Sequence, residues 1–436
     1  MGKAKITVGI IGFGTVGTGT AKILLEHRDI LAERTGFEIL LKRVADKDVI
    51  RDRGVALRKG VLTGDAKDVL SDPDIDVVVE LVGGLHPAKE FILAAIRNRK
   101  HVVTANKALL ATEGNEIFSE ARKYGVEVGF EASVAGGIPI IKVIREGLVA
   151  NNVMAIYGII NGTSNYILTK MTEEKVEFSD ALRDAQQLGY AEADPTFDIE
   201  GIDSAHKLTI LSSLAHGIPL SLDDVYKEGI TRITSQDIEF ASELGYKVKL
   251  LAITKASEGE VEMRVHPTMV PSEYLISKVD GVFNAVYVEG DSVGATLYYG
   301  RGAGDMPTGS AVVADIVDIG RNIVCGAVGR VPLISAGAAK KRKIRKMEGI
   351  ESMYYFRFSA LDKPGVLSSI SGILGKHNIS IASVIQKGRR IGGSVPLVVL
   401  THMASERDVL RAIGEIDDLD VVSDKTLFVR VEGKEA

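Results

Sequence analysis

The sequence predicts an α/β protein: a doubly wound parallel sheet, then an α+β domain, then a C-terminal ferredoxin-like βαββαβ domain. Three observations support this fold class. Strand-length apolar runs alternate with amphipathic helical segments over the first third of the chain, the pattern changes near residue 150, and a strand–helix–strand–strand–helix–strand order closes the chain. The predicted limits are 1–150, 151–306 and 351–436, with a linker at 331–350.

Composition and charge are those of an ordinary globular protein. The 436 residues are 45% hydrophobic and 25% charged, with a formal net charge of -5, so no global field favours nucleic acid or anionic membranes. No apolar run approaches the roughly 20 residues that span a bilayer. Cys325 is the only cysteine, which excludes an intrachain disulfide and argues against a cysteine-based zinc site. The start, MGKAKITVGIIGFG, reads as a buried strand and not as a secretory signal, which predicts a cytoplasmic protein.

Residues 1–150 carry the strand signals of a parallel sheet. The strand-like runs are KITVGIIG, FEILLKRVA, DVVVELVG, HVVTAN and VEVGFEA. Their near-continuous apolar character is typical of strands buried on both faces, and helical patterns with short connections separate them. This repetition indicates a doubly wound sheet.

The segment after residue 150 predicts a different architecture. One strand, several helices and then an antiparallel sheet are expected over 151–306. The N-terminal proline and apolar spacing of PTGSAVVADIVDIGRNIV predict a long helix, about 307–330, that returns to the first domain. The basic run AKKRKIRK follows. It fits a solvated linker, and the alternative is a localisation or anion-binding patch.

A glycine motif follows the first predicted strand. Gly12, Gly14 and Gly17 form GxGxxG, with Phe13, Thr15 and Val16 between them, where the chain passes from strand to helix. The first glycine permits the tight turn, the second lets a pyrophosphate approach the backbone, and the third lets helix and strand pack closely. The pattern therefore predicts a Rossmann-like dinucleotide site. The alternative is a tight turn without a ligand.

The end of the second strand bears on cofactor preference. A carboxylate there binds the ribose hydroxyls of NAD, whereas an arginine pairs with the 2′-phosphate of NADP. Asp46 and Arg43 are both present, so either cofactor is compatible, and Arg43 beside Lys42 favours NADP.

Two lysines are the predicted chemical groups. Lys107 in TANK follows the fourth strand, at the carboxyl edge of the sheet where ligands of open α/β sheets bind. Lys207 follows an acid-rich segment, and the wheel of a helix over 202–216 turns it inward, with Asp203 four residues earlier. The wheel gives an apolar face to Leu208, Leu211, Leu214 and Ala215, and turns His206, Thr209 and Ser213 elsewhere. Desolvation and a neighbouring carboxylate tune the pKa of such a lysine, which suits a proton donor. The alternative is an ion pair that only closes a buried helix.

Six segments together resemble the homoserine dehydrogenase family over about residues 5–330. They are GFGTVG, TANKALL, EASVAGGIPII, NGTSNYIL, GYAEADPTFDIEGIDSAHK and GRGAGDMPTGSAVVADI. The resemblance implies reversible NAD(P)H-dependent reduction of aspartate semialdehyde to homoserine. Lys207 would then donate the proton, and Lys107 would stabilise charge and orient the substrate. Glu192 and Asp203 would hold the substrate ammonium group, with Asp198 supporting them.

The same resemblance implies further ligands. Gly189, Gly304 and Thr104 would border the cofactor together with the glycine motif. A monovalent cation, Na⁺, would be held largely by backbone carbonyls of Glu131, Val134, Gly136 and Ile138, and the alternative for EASVAGGIP is a strand–loop–helix turn. The enzyme would be a homodimer or homotetramer.

The C-terminal segment LDKPGVLSSISGILGKHNISI resembles the ACT domain. The resemblance implies an amino-acid effector, threonine in this family, whereas the alternative is a domain used only for oligomerisation. Asn378 is either an effector ligand or a turn residue. Deletion after about residue 348 is expected to leave turnover and to abolish the threonine response.

Three rival functions are weighed against this one. Aspartate semialdehyde dehydrogenase needs a cysteine nucleophile, and Cys325 lies in the predicted return helix. A fusion with aspartate kinase would need a kinase-length segment before the first strand. A non-enzymatic amino-acid or redox sensor would not need both lysines and an acid-rich loop.

Overall fold

A computed structural model describes residues 5–257, 259–332, 342–387 and 393–433. Up to residue 150 the elements are, in order, β1 (Lys5–Ile11), α1 (Thr15–Glu26), α2 (Arg28–Thr35), β2 (Glu38–Ala45), β3 (Leu62–Thr63), α3 (Lys67–Leu70), β4 (Val77–Glu80), α4 (Ala88–Arg97), β5 (His101–Thr104), α5 (Lys107–Tyr124), β6 (Val128–Gly129) and α6 (Ile140–Lys142).

The remaining elements begin with β7 (Val153–Ile159), α7 (Gly162–Glu174), α8 (Phe178–Gln187), α9 (Thr196–Ile199), α10 (Ile202–His216), β8 (Tyr226–Lys227), α11 (Ser235–Glu243), β9 (Tyr246–Ser257) and β10 (Glu260–Pro271). The chain continues with β11 (Phe283–Gly290), β12 (Gly294–Arg301), α12 (Asp305–Val324), β13 (Lys343–Ile344), β14 (Glu351–Leu361), α13 (Val366–Lys376), β15 (Ile381–Gln386), β16 (Ser394–Thr401), β17 (Ala404–Ser405), α14 (Glu406–Asp417) and β18 (Leu427–Val431).

The predicted doubly wound sheet is confirmed. Six parallel strands lie in the order β3-β2-β1-β4-β5-β6, so β1 and β4 are neighbours at the point where the chain direction across the sheet reverses. The five predicted strands are present, and the short β3 is an addition that carried no sequence signal. Buried aliphatic residues of β1, β2 and β4 form a core with α12, whose backbone approaches α1 so closely that a Cβ at Gly19 would lie 2.2 Å from the Asp305 carbonyl oxygen.

The chain forms two compact units, each assembled from separate segments. The first contains the parallel sheet, α10, the antiparallel strands β7, β11 and β12, and α12. The second contains 161–202, 226–282 and the part of the chain from residue 343. These units do not coincide with the sequence-predicted limits, because each collects segments that are distant in sequence.

The C-terminal domain has the predicted βαββαβ order, with β18, β14, β16 and β15 paired antiparallel over α13 and α14. It is not separate from the preceding strands of its unit. Strand β18 pairs in parallel with β10, as Thr268 with Arg430 and Met269 with Val431. Asn378 has φ of +58°, as expected of a turn residue.

Part of the predicted linker is ordered against the same strand. Lys343 and Ile344 pair in parallel with β10, and Arg345 contacts Glu260 and Glu262. Residues 339–341 of the basic run lie outside the described residues. Within the described ranges, no helix combines the length and the apolar character needed to cross a membrane.

Candidate functional site

The three glycines of the predicted dinucleotide loop have three different environments. Gly12 has φ of +100°, and a Cβ there would lie 2.6 Å from the backbone of Leu81. A Cβ at Gly17 would lie 2.1 Å from the carbonyl oxygen of Gly12, whereas a Cβ at Gly14 would meet nothing within 4 Å. The turn and the packing therefore need Gly12 and Gly17, and Gly14 leaves space for a ligand. Helix α1 begins at Thr15 and directs its free N–H groups into that space.

The residues beside this loop differ in part from those that the sequence favoured. Asp46 accepts from the backbone N–H of Phe13 at 2.6 Å and pairs with Arg53 at 3.2 Å. Arg53 also donates to the Phe13 carbonyl at 2.6 Å. Arg43 donates to the carbonyl of Gly60. Arg53 is thus the arginine in contact with the glycine loop, and it carried no sequence signal because it lies in an irregular loop.

Lys107 and Lys207 meet on one carboxylate. The Lys107 Nζ lies 2.7 Å from Asp203 Oδ1, and the Lys207 Nζ lies 2.7 Å from Asp203 Oδ2. Lys207 also donates to the carbonyl of Ile160 at 2.6 Å. Lys107 is the first residue of α5, and the Asn106 side chain caps that helix by accepting from the Leu109 N–H at 3.1 Å. Two helices therefore present two ammonium groups to one buried acid.

The charges of this triad determine its protonation. Burial alone would raise the pKa of Asp203, but the positive charges of Lys207 and Lys107 hold that pKa well below its usual range. Asp203 is consequently a permanent anion near neutral pH. The Lys207 side chain is 10% exposed and that of Lys107 is 36% exposed, so the second lysine is the more open to solvent.

The helical wheel predicted Lys207 correctly but not the rest of α10. His206, Thr209 and Ser213, which the wheel turned away from the core, are buried, whereas Leu214 and Ala215 are only half-buried. The prediction of one apolar face was wrong because α10 is buried on nearly every side. Within the helix the Thr209 hydroxyl donates to the carbonyl of Ala205 at 2.9 Å.

The acid-rich segment before α10 belongs mostly to the second unit. There Asp198 accepts from the side chain of Asn161 at 2.6 Å, and Asn161 in turn caps α7. Glu192 is exposed, and Gly189 has φ of +75°. Asn161 was missed at the sequence level because its partner is 37 residues away in the chain.

The loop predicted to bind a cation is buried. Glu131 places its side chain on the backbone N–H groups of Ile141 and Lys142 at 2.8 and 2.9 Å, and burial raises its pKa to about 7. Ala135 and Gly136 follow with φ of +54° and +53°. The described residues hold no group of three or more His, Cys, Asp or Glu side chains that suits a metal ion. Any cation here would need the backbone carbonyls.

Comparison with known proteins covers almost the whole chain. Residues 12–131 match the NAD-binding domain of homoserine dehydrogenase, residues 139–317 match the homoserine dehydrogenase model, and residues 354–421 match the ACT domain. A homoserine dehydrogenase of Pseudomonas aeruginosa is 49% identical, over 98% of this chain and 99% of its own length. One of Bacillus subtilis is 41% identical, with 98% of each chain covered.

Solved structures agree. The crystal structure of a homoserine dehydrogenase from Thiobacillus denitrificans has a TM-score of 0.92 at 50% identity, with 98% of each chain covered. A hyperthermophilic archaeal homoserine dehydrogenase in complex with NADPH has a TM-score of 0.61 at 28% identity and covers 72% of this chain and 97% of its own.

A glycine loop at the carboxyl edge of a parallel sheet, with two lysines on one buried carboxylate in the same unit and a match to an NAD-binding domain, defines an NAD(P)-dependent oxidoreductase that acts on a CH–OH group. The family models and the full-length relatives make the assignment specific. The chain belongs to the homoserine dehydrogenase family and carries a C-terminal ACT domain.

Proposed function

We propose that the chain interconverts L-aspartate 4-semialdehyde and L-homoserine, a step of threonine and methionine biosynthesis. The observation that carries the proposal is the lysine pair on Asp203. Bound NAD(P)H supplies a hydride to the aldehyde carbon, and the carbonyl oxygen then gains negative charge. The Nζ of Lys207 donates its proton to that oxygen, and the ammonium group of Lys107 stabilises the charge. Glu192, Asp198 and Asp203 are the proposed ligands of the substrate ammonium group.

The direct test is an assay of the full chain with L-aspartate 4-semialdehyde. Oxidation of NADPH or NADH, followed at the nicotinamide absorbance, is expected together with formation of homoserine. A folded, cofactor-saturated sample that turns over neither cofactor would instead favour a sensor that binds both cofactor and amino acid without chemistry.

Arg53 is proposed to set the preference between cofactors. Its guanidinium group lies against Asp46 and Phe13, at the end of β2 where a dinucleotide ribose binds in this fold. We expect Arg53→Ala to lower the ratio of kcat/KM for NADPH to that for NADH by about tenfold, because a charge-assisted contact with the 2′-phosphate is lost. The NADPH complex of the archaeal relative supports this use of NADP.

Arg43→Ala is the matched control, since Arg43 is on the same strand end but donates to Gly60. Its cofactor ratio is expected to stay within about twofold of the unsubstituted value. A large change in Arg43→Ala, with none in Arg53→Ala, would return the role to the arginine first favoured by the sequence.

A sodium ion is proposed at the loop of Glu131, Val134, Gly136 and Ile138. A buried irregular loop must provide partners for its carbonyl groups, and a monovalent cation is such a partner. The measurement is the thermal unfolding midpoint, which should be higher in sodium chloride than in choline chloride at equal ionic strength.

Self-association is proposed through the antiparallel strands of the first unit. β12 ends their order, and Tyr299, Val293 and Met154 are exposed by 56%, 47% and 44%. Tyr299 lies on this edge strand, Val293 just before it and Met154 on β7, and an open strand edge near exposed apolar side chains is a common basis for association between chains. Sedimentation equilibrium should show a dimer or tetramer.

Threonine is the proposed effector, acting through the ACT domain. Arg357 of β14 pairs with Asp237 at 2.6 Å, and Tyr355 donates to the same carboxylate at 3.0 Å. Asp237 also forms the capping box of α11 with Thr234. Helix α11 packs against α7, which Asn161 caps. A contiguous series of contacts therefore joins the effector domain to the segment that holds Asp198.

These contacts change the test expected of regulation. Removal of residues after about 348 would leave Asp237 without Arg357 and the buried Arg264 without Glu432, a loss that costs stability. The truncated chain is therefore not expected to retain clean turnover, contrary to the expectation from sequence. A point substitution separates regulation from folding better than truncation does.

Arg357→Ala is expected to raise the threonine concentration for half-inhibition at least about fivefold, because the link between β14 and α11 is broken. Turnover per folded molecule without threonine should stay unchanged, with a lower unfolding midpoint because the buried Asp237 loses a partner. Arg411→Ala is the control, since Arg411 is exposed and contacts only Asp408 of its own helix, at 4.0 Å, among the salt bridges of the described residues. If Arg357→Ala kept the half-inhibitory threonine concentration of the unsubstituted chain, the proposed link between β14 and α11 would be contradicted.

A further inference from the structure

Glu80 is a fully buried carboxylate at the centre of the carboxyl edge of the parallel sheet. It ends β4, and its Cα partners are Ile11 at the end of β1 and Thr104 at the end of β5. The strand that leads to the glycine loop and the strand that leads to Lys107 thus flank it on its two sides. The side chain is 0% exposed.

The carboxylate is satisfied by neutral donors from two loops. Glu80 Oε1 accepts from the backbone N–H groups of Val82 at 2.7 Å and Gly83 at 3.3 Å. Its Oε2 accepts from the Thr104 hydroxyl at 2.8 Å. Burial raises the pKa of the Glu80 carboxyl, so a charge at this position is costly. The amide oxygen of a glutamine at position 80 could also accept from the N–H groups of Val82 and Gly83. Formation of this turn therefore does not by itself require a carboxylate.

The first loop lies against the cofactor site. The backbone of Leu81 and Val82 is so close to Gly12 that a Cβ on Gly12 would lie 2.6 Å from Leu81 and 2.8 Å from Val82 N. The position of residues 81–83, which Glu80 holds, therefore limits where the glycine loop can lie.

The second loop leads directly to Lys107. The Thr104 hydroxyl accepts from the Asn106 N–H at 3.0 Å, and the Asn106 amide donates to the Gly84 carbonyl at 2.6 Å. Asn106 also caps α5, of which Lys107 is the first residue. Because the Thr104 hydroxyl bonds both to Glu80 and to the Asn106 N–H, the start of α5 is linked to the same carboxylate as the loop beside Gly12.

We infer that Glu80 is a positioning residue for the reaction: it holds the Lys107 ammonium group in register with the cofactor loop through Thr104, Asn106 and residues 82–83. The inference rests on the proposed role of Lys107. A displacement of that ammonium group by a fraction of an ångström weakens its stabilisation of charge on the substrate oxygen, and catalysis is sensitive to such shifts.

The experiment is a double-mutant cycle between Glu80→Gln and Lys107→Met. Homoserine oxidation gives kcat and KM for each variant, and NADPH fluorescence titration gives cofactor affinity. Glu80→Gln should lower kcat/KM for homoserine at least about tenfold in the unsubstituted chain and less than about twofold in the Lys107→Met background. Thr104→Val, which removes the hydroxyl without changing a charge, should show the same dependence and serves if Glu80→Gln folds poorly.

Glu127→Gln is the matched control. Glu127 is also a buried carboxylate that accepts from an amide and a backbone N–H, those of Asn322 and Gly329, but it precedes β6 at the amino edge of the sheet. It should alter thermal stability and leave kcat/KM unchanged.

The outcomes distinguish a failure of the role inferred for Glu80 from a failure of the role proposed for Lys107. An equal loss from Glu80→Gln in both backgrounds, or no loss in either, would overturn the inference while an impaired Lys107→Met leaves the proposed function in place. Near-normal kinetics of Lys107→Met would contradict the role of that lysine and, with it, this inference.

Discussion

Lys207→Met is expected to lower kcat at least about a hundredfold, because the proton donor to the nascent alkoxide is removed. Methionine keeps most of the side-chain volume in a position that is only 10% exposed, so the loss is chemical and not due to a cavity. NADPH affinity should persist, since the glycine loop does not contain the substituted group. Steady-state kinetics and NADPH fluorescence titration measure both.

Lys249→Met is the control for the effect of burying an uncharged side chain where a lysine was. Lys249 is 2% exposed, lies 2.8 Å from Asp280 and donates to the Val279 carbonyl at 2.7 Å, a pairing closely similar to that of Lys207. Its kcat per folded molecule should stay within about twofold of the unsubstituted value, with a lower unfolding midpoint. Near-normal turnover in Lys207→Met would refute the assigned proton donor.

The parts of the fold that the sequence predicts are those that local physics determines. Strand-length apolar runs, the glycine turn of residues 12–17 and the four-residue spacing of Asp203 and Lys207 all act over a few residues, and the structure shows each of them. Partners that are distant in sequence left no comparable pattern. The Lys107–Asp203 contact joins residues 96 positions apart, and β18 pairs with β10 across the whole C-terminal domain.

The site predictions show the same division. The sequence pointed to Arg43 and Asp46 and gave no signal for Arg53, because a strand end can be located from sequence whereas the contacts of a residue in an irregular loop such as 46–61 cannot. Glu80 gave no signal, since an acid at a strand end is indistinguishable from an exposed turn residue until its partners are known. The wheel of α10 misassigned Ser213 and Leu214, because hydrophobic periodicity marks a face only when one side of a helix meets water.

Asp203→Asn is expected to lower the unfolding free energy by about 3 kcal/mol and to reduce kcat/KM more than Lys107→Met does. The substitution leaves two ammonium groups close together, one of them deeply buried, without the charge that compensates them. The folded-state pKa of Asp203 is below the ordinary value of 3.8, so the carboxylate stabilises the fold above that pH. The stabilisation is lost as the pH falls from 3.8 towards the lower folded pKa.

Chemical denaturation of the unsubstituted chain and of Asp203→Asn between about pH 3 and pH 7 tests this pH dependence of stability. The stability difference should be full and constant above about pH 5 and should shrink as the pH falls below the ordinary aspartate pKa. Asp280→Asn is the matched control: Asp280 also lies between two lysines, Lys249 at 2.8 Å and Lys247 at 3.2 Å, but its side chain is 35% exposed. Lys249 itself is only 2% exposed, so a comparable loss of stability is expected, whereas the kinetics should stay normal because neither lysine belongs to the proposed site. Equal losses of kcat/KM from the two substitutions would mean that Asp203 acts only as an ordinary ion-pair partner, and that its two lysines do not form a catalytic unit.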